Sequence, residues 1–183
     1  QSTAAKSAVS VLDMQNDISE SVTTMDLRNG SIIVSVENGQ QYAEQKNIKQ
    51  QISDLVVTTN NDETTNTLTI EGGTTAAKVT LHNVNIDASG AAVSVSGDVE
   101  LIISKTNNLH SGWGHAGVEK ADDNGTLTIS GSGELKAYGG YWGAGIGSGS
   151  EKGCSNIVIE SGTITAKGCL LYTSDAADDG ESV

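Results

Sequence analysis

Residues 125–148, GTLTISGSGELKAYGGYWGAGIGS, constrain this chain more than any other stretch. Leu127 and Ile129 flank Thr128, an alternation that gives a short strand one apolar face. Gly131-Ser132-Gly133 is a turn signal, and Leu135 and Ala137 repeat the alternation. Gly139-Gly140 and Tyr141-Trp142 then lead into a third strand of small residues, Gly143-Ala144-Gly145-Ile146-Gly147. Three short strands joined by glycine turns cannot bury their apolar side chains alone. They need copies of themselves above and below.

The chain supplies them. Downstream, Ile157 and Ile159 answer Leu127 and Ile129, while Ile164 and Ala166 answer Leu135 and Ala137. Upstream, Val99 and Leu101, then Leu109, then His115-Ala116-Gly117-Val118 give all three strands. One coil earlier come Val79/Leu81, Val84/Ile86 and Ala91-Ala92-Val93. Matching Val79, Val99, Leu127 and Ile157 as one inward ladder gives coils of 20 to 30 residues, and Ala92, Gly117 and Gly145 align on another strand, outward-facing or tightly turned. With 22 glycines, no proline and no phenylalanine, the core must be thin and filled by Val, Ile, Leu and Ala. That suits a solenoid, in which each coil touches only its neighbours. The expected fold is all-β: a parallel β-helix with three short strands per coil over residues 27–168.

These phrases, GTLTISGSGELKAYGGYWGAGIGSG and VTLHNVNIDASGAAVSVSG, resemble a family of secreted bacterial β-helix proteins with Gly-Ala-Gly-Ile-Gly repeats, often labelled carbohydrate-binding domain-containing. The resemblance covers residues 27–168. It implies a secreted or cell-surface location in bacteria, and members that bind acidic plant polysaccharides and calcium. Fold alone does not fix function.

The two ends read differently. In residues 1–26, Ala5, Ala8, Val9 and Leu12 share one helical face, with Ser2 or Thr3 as N-cap, which suggests a short helix serving as a terminal cap or arm. There is no basic start followed by an apolar run, so the chain reads as mature or as a fragment. Residues 27–36 read as a first strand, residues 37–49 as a polar loop or exposed helix, and residues 52–59 and 67–70 as strands. After Gly168 the repeat stops. Residues 169–178, CLLYTSDAAD, resemble the translation of a common sequencing adapter, so residues 169–183 are expected to be non-native and foreign to the coil, with the natural chain carrying more coils. Cys154 and Cys169 are then expected to be unbonded.

Net charge is −13, and the four acids of that tail (Asp175, Asp178, Asp179, Glu181) leave −9 without them. Such a chain disfavours nucleic acid, which wants clustered Lys and Arg. Lys136, Lys152 and Lys167 fall at one end of the repeat, either as a basic patch or as solvated guards of strand edges. No segment reads as membrane-spanning.

Two constellations could carry chemistry. Trp113 stands five residues before Val118 and Tyr141 five before Ile146, at matching turns of successive coils, with Tyr138 and Trp142 close in sequence. Flat rings on a rigid turn can stack on sugar C–H faces, or they can cover the coil corner. Asp122-Asp123-Asn124-Gly125 offers oxygen ligands for calcium, but fewer than the six to eight that ion takes, and also reads as an ordinary turn. His82, His110 and His115 show no metal-ligand spacing with cysteine.

An enzyme built on a β-helix needs paired carboxylates. The outward column Thr80, Glu100, Thr128, Val158 offers one acid, so the chain is expected not to be an enzyme. The expected function is an extracellular glycan-binding or adhesive module, with polysaccharide as partner and calcium as the only candidate cofactor. A structural spacer or surface-filament subunit, self-associating end to end, is the main alternative. A polysaccharide lyase is the weaker one.

Overall fold

The computed structural model describes residues 21–120 and 122–169. They wind as a stack of coils, each passing through up to three strands. The first coil holds β1 (Thr23–Asp26), a 3-10 turn at Leu27–Asn29 in place of a middle strand, and β2 (Ile32–Glu37). A meander of β3 (Gln40–Gln45) and β4 (Ile48–Gln51) interrupts the winding. The second coil is β5 (Leu55–Thr58), β6 (Glu63–Thr64) and β7 (Leu68–Glu71); the third is β8 (Ala77–His82), β9 (Asn85–Asp87) and β10 (Val93–Ser96). Next come β11 (Val99–Ser104), β12 (Thr106–His110) and β13 (Val118–Lys120), then β14 (Leu127–Gly131), β15 (Glu134–Tyr141) and β16 (Ile146–Gly147). The last described coil has β17 (Ile157–Ile159) and β18 (Thr163–Cys169).

Stacking generates three sheets. Sheet 1 runs β1-β5-β8-β11-β14-β17, sheet 2 runs β6-β9-β12-β15-β18, and sheet 3 runs β4-β3-β2-β7-β10-β13-β16. The chain is therefore a parallel β-helix. Its core is the set of inward side chains, among them Val79, Leu81, Ile86, Val99, Leu101, Leu109, Leu127, Ile129 and Leu135, each at most 1 % exposed. Each such residue contributes about 1.5–3 kcal/mol by burial.

The ladder of sheet 1 differs from the expected one by two residues in the third coil. Val99 lies over Ala77, not Val79, and continues to Leu127 and Ile157. Val79 sits in the neighbouring ladder, Leu55–Val79–Leu101–Ile129–Ile159. A slip of two keeps the same face inward, so alternation cannot detect it. The corner glycines are stacked as well. A Cβ on Gly97 would meet the Gly72 carbonyl oxygen at 2.5 Å, and one on Gly125 would meet the Gly97 carbonyl carbon at 2.2 Å. The link from Gly72 to Ala77 is longer than the links from Gly97 to Val99 and from Gly125 to Leu127, so coil spacing read from the sequence does not fix the register there. The outward column beside this ladder is accordingly Lys78, Glu100, Thr128, Val158, with Lys78 in place of Thr80. It still holds one acid. In sheet 3, Val93, Val118 and Ile146 are in register, which aligns the preceding Ala92, Gly117 and Gly145 as expected; all three are buried rather than outward-facing.

Residues 37–49 form neither loop nor helix. β2, β3 and β4 are antiparallel, joined at Asn38-Gly39 (φ 51° and 76°) and Lys46-Asn47 (φ 52° and 62°). Two successive positive φ values make the two-residue turn whose twist matches a hairpin. The meander is fastened to the stack by Gln41. Its Oε1 accepts from the Lys78 N–H at 2.7 Å, and its Nε2 donates to the Lys78 carbonyl at 3.1 Å, as a neighbouring strand would.

The solenoid begins earlier than expected, since β1 pairs with β5 from Thr23 onward and so lies within residues 1–26. The helix expected near the N-terminus lies outside the described residues. At the other end Cys169 still belongs to β18 and pairs with Tyr141, so the strand register extends one residue past Gly168; residues 170–183 are not described. Cys154 and Cys169 are unbonded. Among the described residues no helix is long and apolar enough to cross a membrane.

Candidate functional site

Two glycine-bounded turns stack at the corner between sheets 2 and 3. In Gly112-Trp113-Gly114-His115, the His115 N–H donates to the Gly112 carbonyl at 3.1 Å. In Gly140-Tyr141-Trp142-Gly143, the Gly143 N–H donates to the Gly140 carbonyl at 2.9 Å. The turns are bonded to each other, Gly114 N–H to the Tyr141 carbonyl at 2.8 Å and Gly140 N–H to the His115 carbonyl at 3.0 Å. The matching of Trp113 with Tyr141 expected from the repeat is therefore present. The glycines are required here: a Cβ on Gly140 would lie 1.9 Å from the Gly112 carbonyl oxygen.

Both turns have a left-handed third residue, the position that favours glycine in a type II turn. In the earlier coil it is Gly114, φ 78°; in the later one it is Trp142, φ 61°. A bulky residue with positive φ is strained. The indole reached at that expense is 51 % exposed, with Trp113 at 65 % and Tyr141 at 47 %. The two indoles touch, with ring centroids 5.5 Å apart and planes tilted by 54°. A cleft of about 760 Å³ opens beside Trp142, lined also by Gly143, Ala144, Ser148 and Lys152.

Tyr138 does not join the tryptophan pair as a ring partner. It points outward from sheet 2 in register with His110, and the two rings stack at 4.4 Å with a 20° tilt. Of the three lysines, Lys136 lies 3.5 Å from the Glu134 carboxylate, Lys167 is in register with Tyr138, and Lys152 borders the cleft.

The oxygen-rich turn at Asp122, Asp123 and Asn124 is occupied by the protein's own cation. Lys120 is fully buried, and its Nζ donates to the carbonyls of Asp122 at 2.6 Å and Asn124 at 3.3 Å, with the Asp122 carboxylate at 3.6 Å. Asp123 is engaged elsewhere: its Oδ1 accepts from the Ser155 hydroxyl at 2.8 Å and its carbonyl from Asn156 Nδ2 at 3.2 Å. Two main-chain oxygens that could face a calcium ion thus face an ammonium. Among the described residues no cluster of three His, Cys, Asp or Glu side chains is placed to hold a metal.

Sequence reasoning passed over one pair. His115 Nδ1 lies 3.0 Å from Glu119 Oε2, and the same oxygen accepts from the Ala116 N–H at 3.0 Å. Four residues apart would place them on one face of a helix; here the turn before β13 folds them together. The exposed slot of Trp142 was legible in principle, by setting Gly112-Trp113-Gly114 over Gly140-Tyr141-Trp142 and seeing an indole where glycine stands.

Fold and site together define a class: a parallel β-helix that presents aromatic rings on a rigid stacked corner. No protein-family model matches the chain, no curated protein matches it, and no solved structure matches it.

Proposed function

We propose that this chain is a non-enzymatic, extracellular module that binds a glycan at the corner of Trp113, Tyr141 and Trp142. The observation that carries the reading is Trp142 in the slot where the preceding coil has Gly114. Strain of this kind persists where surrounding structure over-determines it, and it clusters at binding sites. Here it holds a large ring half-exposed on a turn pinned from below. Pyranose rings offer apolar C–H faces that suit such a surface, and rings fixed in advance lose little entropy on binding. Extracellular location rests on the resemblance noted above.

Ring geometry narrows the form of the ligand. Coplanar rings suit the flat face of a crystalline polysaccharide. Indoles tilted by 54° on a corner suit one twisted, soluble chain. Native electrophoresis through gels containing soluble mixed-linkage β-glucan, xyloglucan, arabinoxylan, galactomannan or polygalacturonate, alongside pull-down on microcrystalline cellulose, tests this. Retardation by a soluble glycan that is lost in Trp113→Ala and Trp142→Gly supports the platform. Unretarded wild-type protein in every gel overturns it.

A further inference from the structure

We infer that His115 is the polar, specificity-determining group of the aromatic corner, accepting a hydrogen bond from a sugar hydroxyl; this rests on the glycan reading above. His115 closes the turn that presents Trp113, and its carbonyl accepts from Gly140, the first residue of the turn that presents Trp142. The His115 backbone is therefore bonded to both turns, and its side chain is 41 % exposed.

Its orientation is set by Glu119, whose side chain is only 13 % exposed although it sits on the outward face of β13. The loop of residues 147–150 covers it: a Cβ on Gly149 would come within 2.9 Å of Glu119 Oε2. That oxygen accepts the Ala116 N–H, and a carboxylate only accepts, so His115 Nδ1 carries the hydrogen. In the neutral ring Nε2 is then left as an acceptor. Among the hydrogen bonds of the described residues, none uses Nε2. A covered carboxylate fixing the tautomer of an exposed imidazole is the arrangement that orients functional histidines elsewhere.

The ligand this combination takes is a neutral pyranoside: an apolar face for the indoles and a donating hydroxyl at the ring edge for Nε2. Sites of this kind join an apolar surface to a few placed polar groups, and the polar groups discriminate, because an unmatched one is left without a partner.

The test compares soluble mixed-linkage β-glucan with the same polymer partially O-methylated, by affinity electrophoresis of the whole chain. Wild type is expected to prefer the free-hydroxyl polymer. His115→Leu is expected to bind it about five- to tenfold more weakly, as for one lost hydrogen bond, and to show no preference between the two polymers. His115→Gln, which retains an acceptor, is expected to recover part of the preference. Melting temperatures of His115→Leu and wild type should agree, which separates ligand reading from a structural role. If His115→Leu keeps the wild-type preference while Trp142→Gly loses binding, His115 is not the discriminating group and the platform stands. If wild type binds neither polymer and none of the other glycans named above, both readings fall.

Discussion

Lys120 stands directly over Val95 in the inward ladder of sheet 3, where an apolar side chain belongs. Its stem fills the ladder position while the ammonium bends out to the Asp122 and Asn124 carbonyls. Replacing it by methionine keeps the stem and strands the carbonyls, so Lys120→Met is expected to cost about 1–3 kcal/mol. Lys120→Ala adds a cavity and should cost roughly 2–4 kcal/mol. Because the ammonium already occupies the turn, millimolar calcium should leave the wild-type melting temperature unchanged. Thermal melts of the three proteins, with and without calcium, check the order. A wild-type rise with calcium would show that the turn takes the ion after all.

Asn107 is a second polar residue inside the wall. It is fully buried, and its side chain ties three coils together. Oδ1 accepts from the Val84 N–H at 2.9 Å, and Nδ2 donates to the carbonyls of Ser104 at 3.0 Å and Glu134 at 3.3 Å. Asn107→Ala leaves a buried N–H with no partner and is expected to destabilise by about 2–4 kcal/mol. Asn107→Leu, apolar like Leu135 above it, should be no better, since the Val84 N–H stays unpaired. Denaturant unfolding measures both. A loss well under 1 kcal/mol would mean that water replaces the side chain.

These two residues also show where sequence reading stops. Period-two alternation identified Leu127, Ile129, Leu135 and Ala137 as inward, because a strand with one buried face must alternate. The same rule makes Lys120 and Asn107 look like outward or turn residues, since it reads polarity rather than the destination of each atom. The two-residue shift at Ala77 was invisible for a related reason: faces are unchanged by it, and corner glycine contacts belong to the folded backbone. The meander was legible at one point only. Asn38-Gly39 is a strong hairpin signal, but β4 is exposed throughout and gives no alternation to confirm it. At the aromatic corner, sequence spacing found the rings and their register, whereas the left-handed conformation of Trp142 and the pairing of His115 with Glu119 needed the fold.

At the N-terminal coil, Arg28 holds Asp26. Nε lies 3.0 Å from both carboxylate oxygens and Nη2 2.6 Å from Oδ2; Asp26 Oδ1 also accepts the Arg28 N–H at the start of the 3-10 turn. The side-chain hydrogen bonds from Arg28 are the main reason that the Asp26 carboxyl lies below the usual 3.8. A carboxyl depressed on folding stabilises fully above its unfolded value and loses that contribution as pH falls through the folded value. Wild type should therefore exceed Asp26→Asn in melting temperature at pH 5–7, with the gap closing below about pH 3.8. The pair remains partly open to solvent, so the gap should be small. A gap that widens in acid would reverse the sign and remove Arg28 as its cause.

Trp142 supplies the sharpest test, because strain and packing predict opposite orders for two substitutions. With φ at 61°, any side chain with a Cβ is strained, by about 1–2 kcal/mol, and glycine is not. Trp142→Gly releases that strain but loses the contact with Trp113, about 0.5–1.5 kcal/mol, and adds the flexibility of glycine, about 0.5–1 kcal/mol. The result should fall within about 1 kcal/mol of wild type. Trp142→Ala loses the same contact and keeps the strain, so it should be less stable than Trp142→Gly by up to about 1 kcal/mol, against the usual ranking of alanine over glycine. Both should lose retardation by whichever soluble glycan the wild type binds. Were the indole a structural wedge in the corner, either substitution should instead cost roughly 3–5 kcal/mol, as for large-to-small changes in a core. Chemical denaturation of the three proteins beside the same affinity gels separates the cases. Near-wild-type stability of Trp142→Gly with lost binding assigns the strained ring to the ligand, and a loss of 3–5 kcal/mol would assign it to the fold.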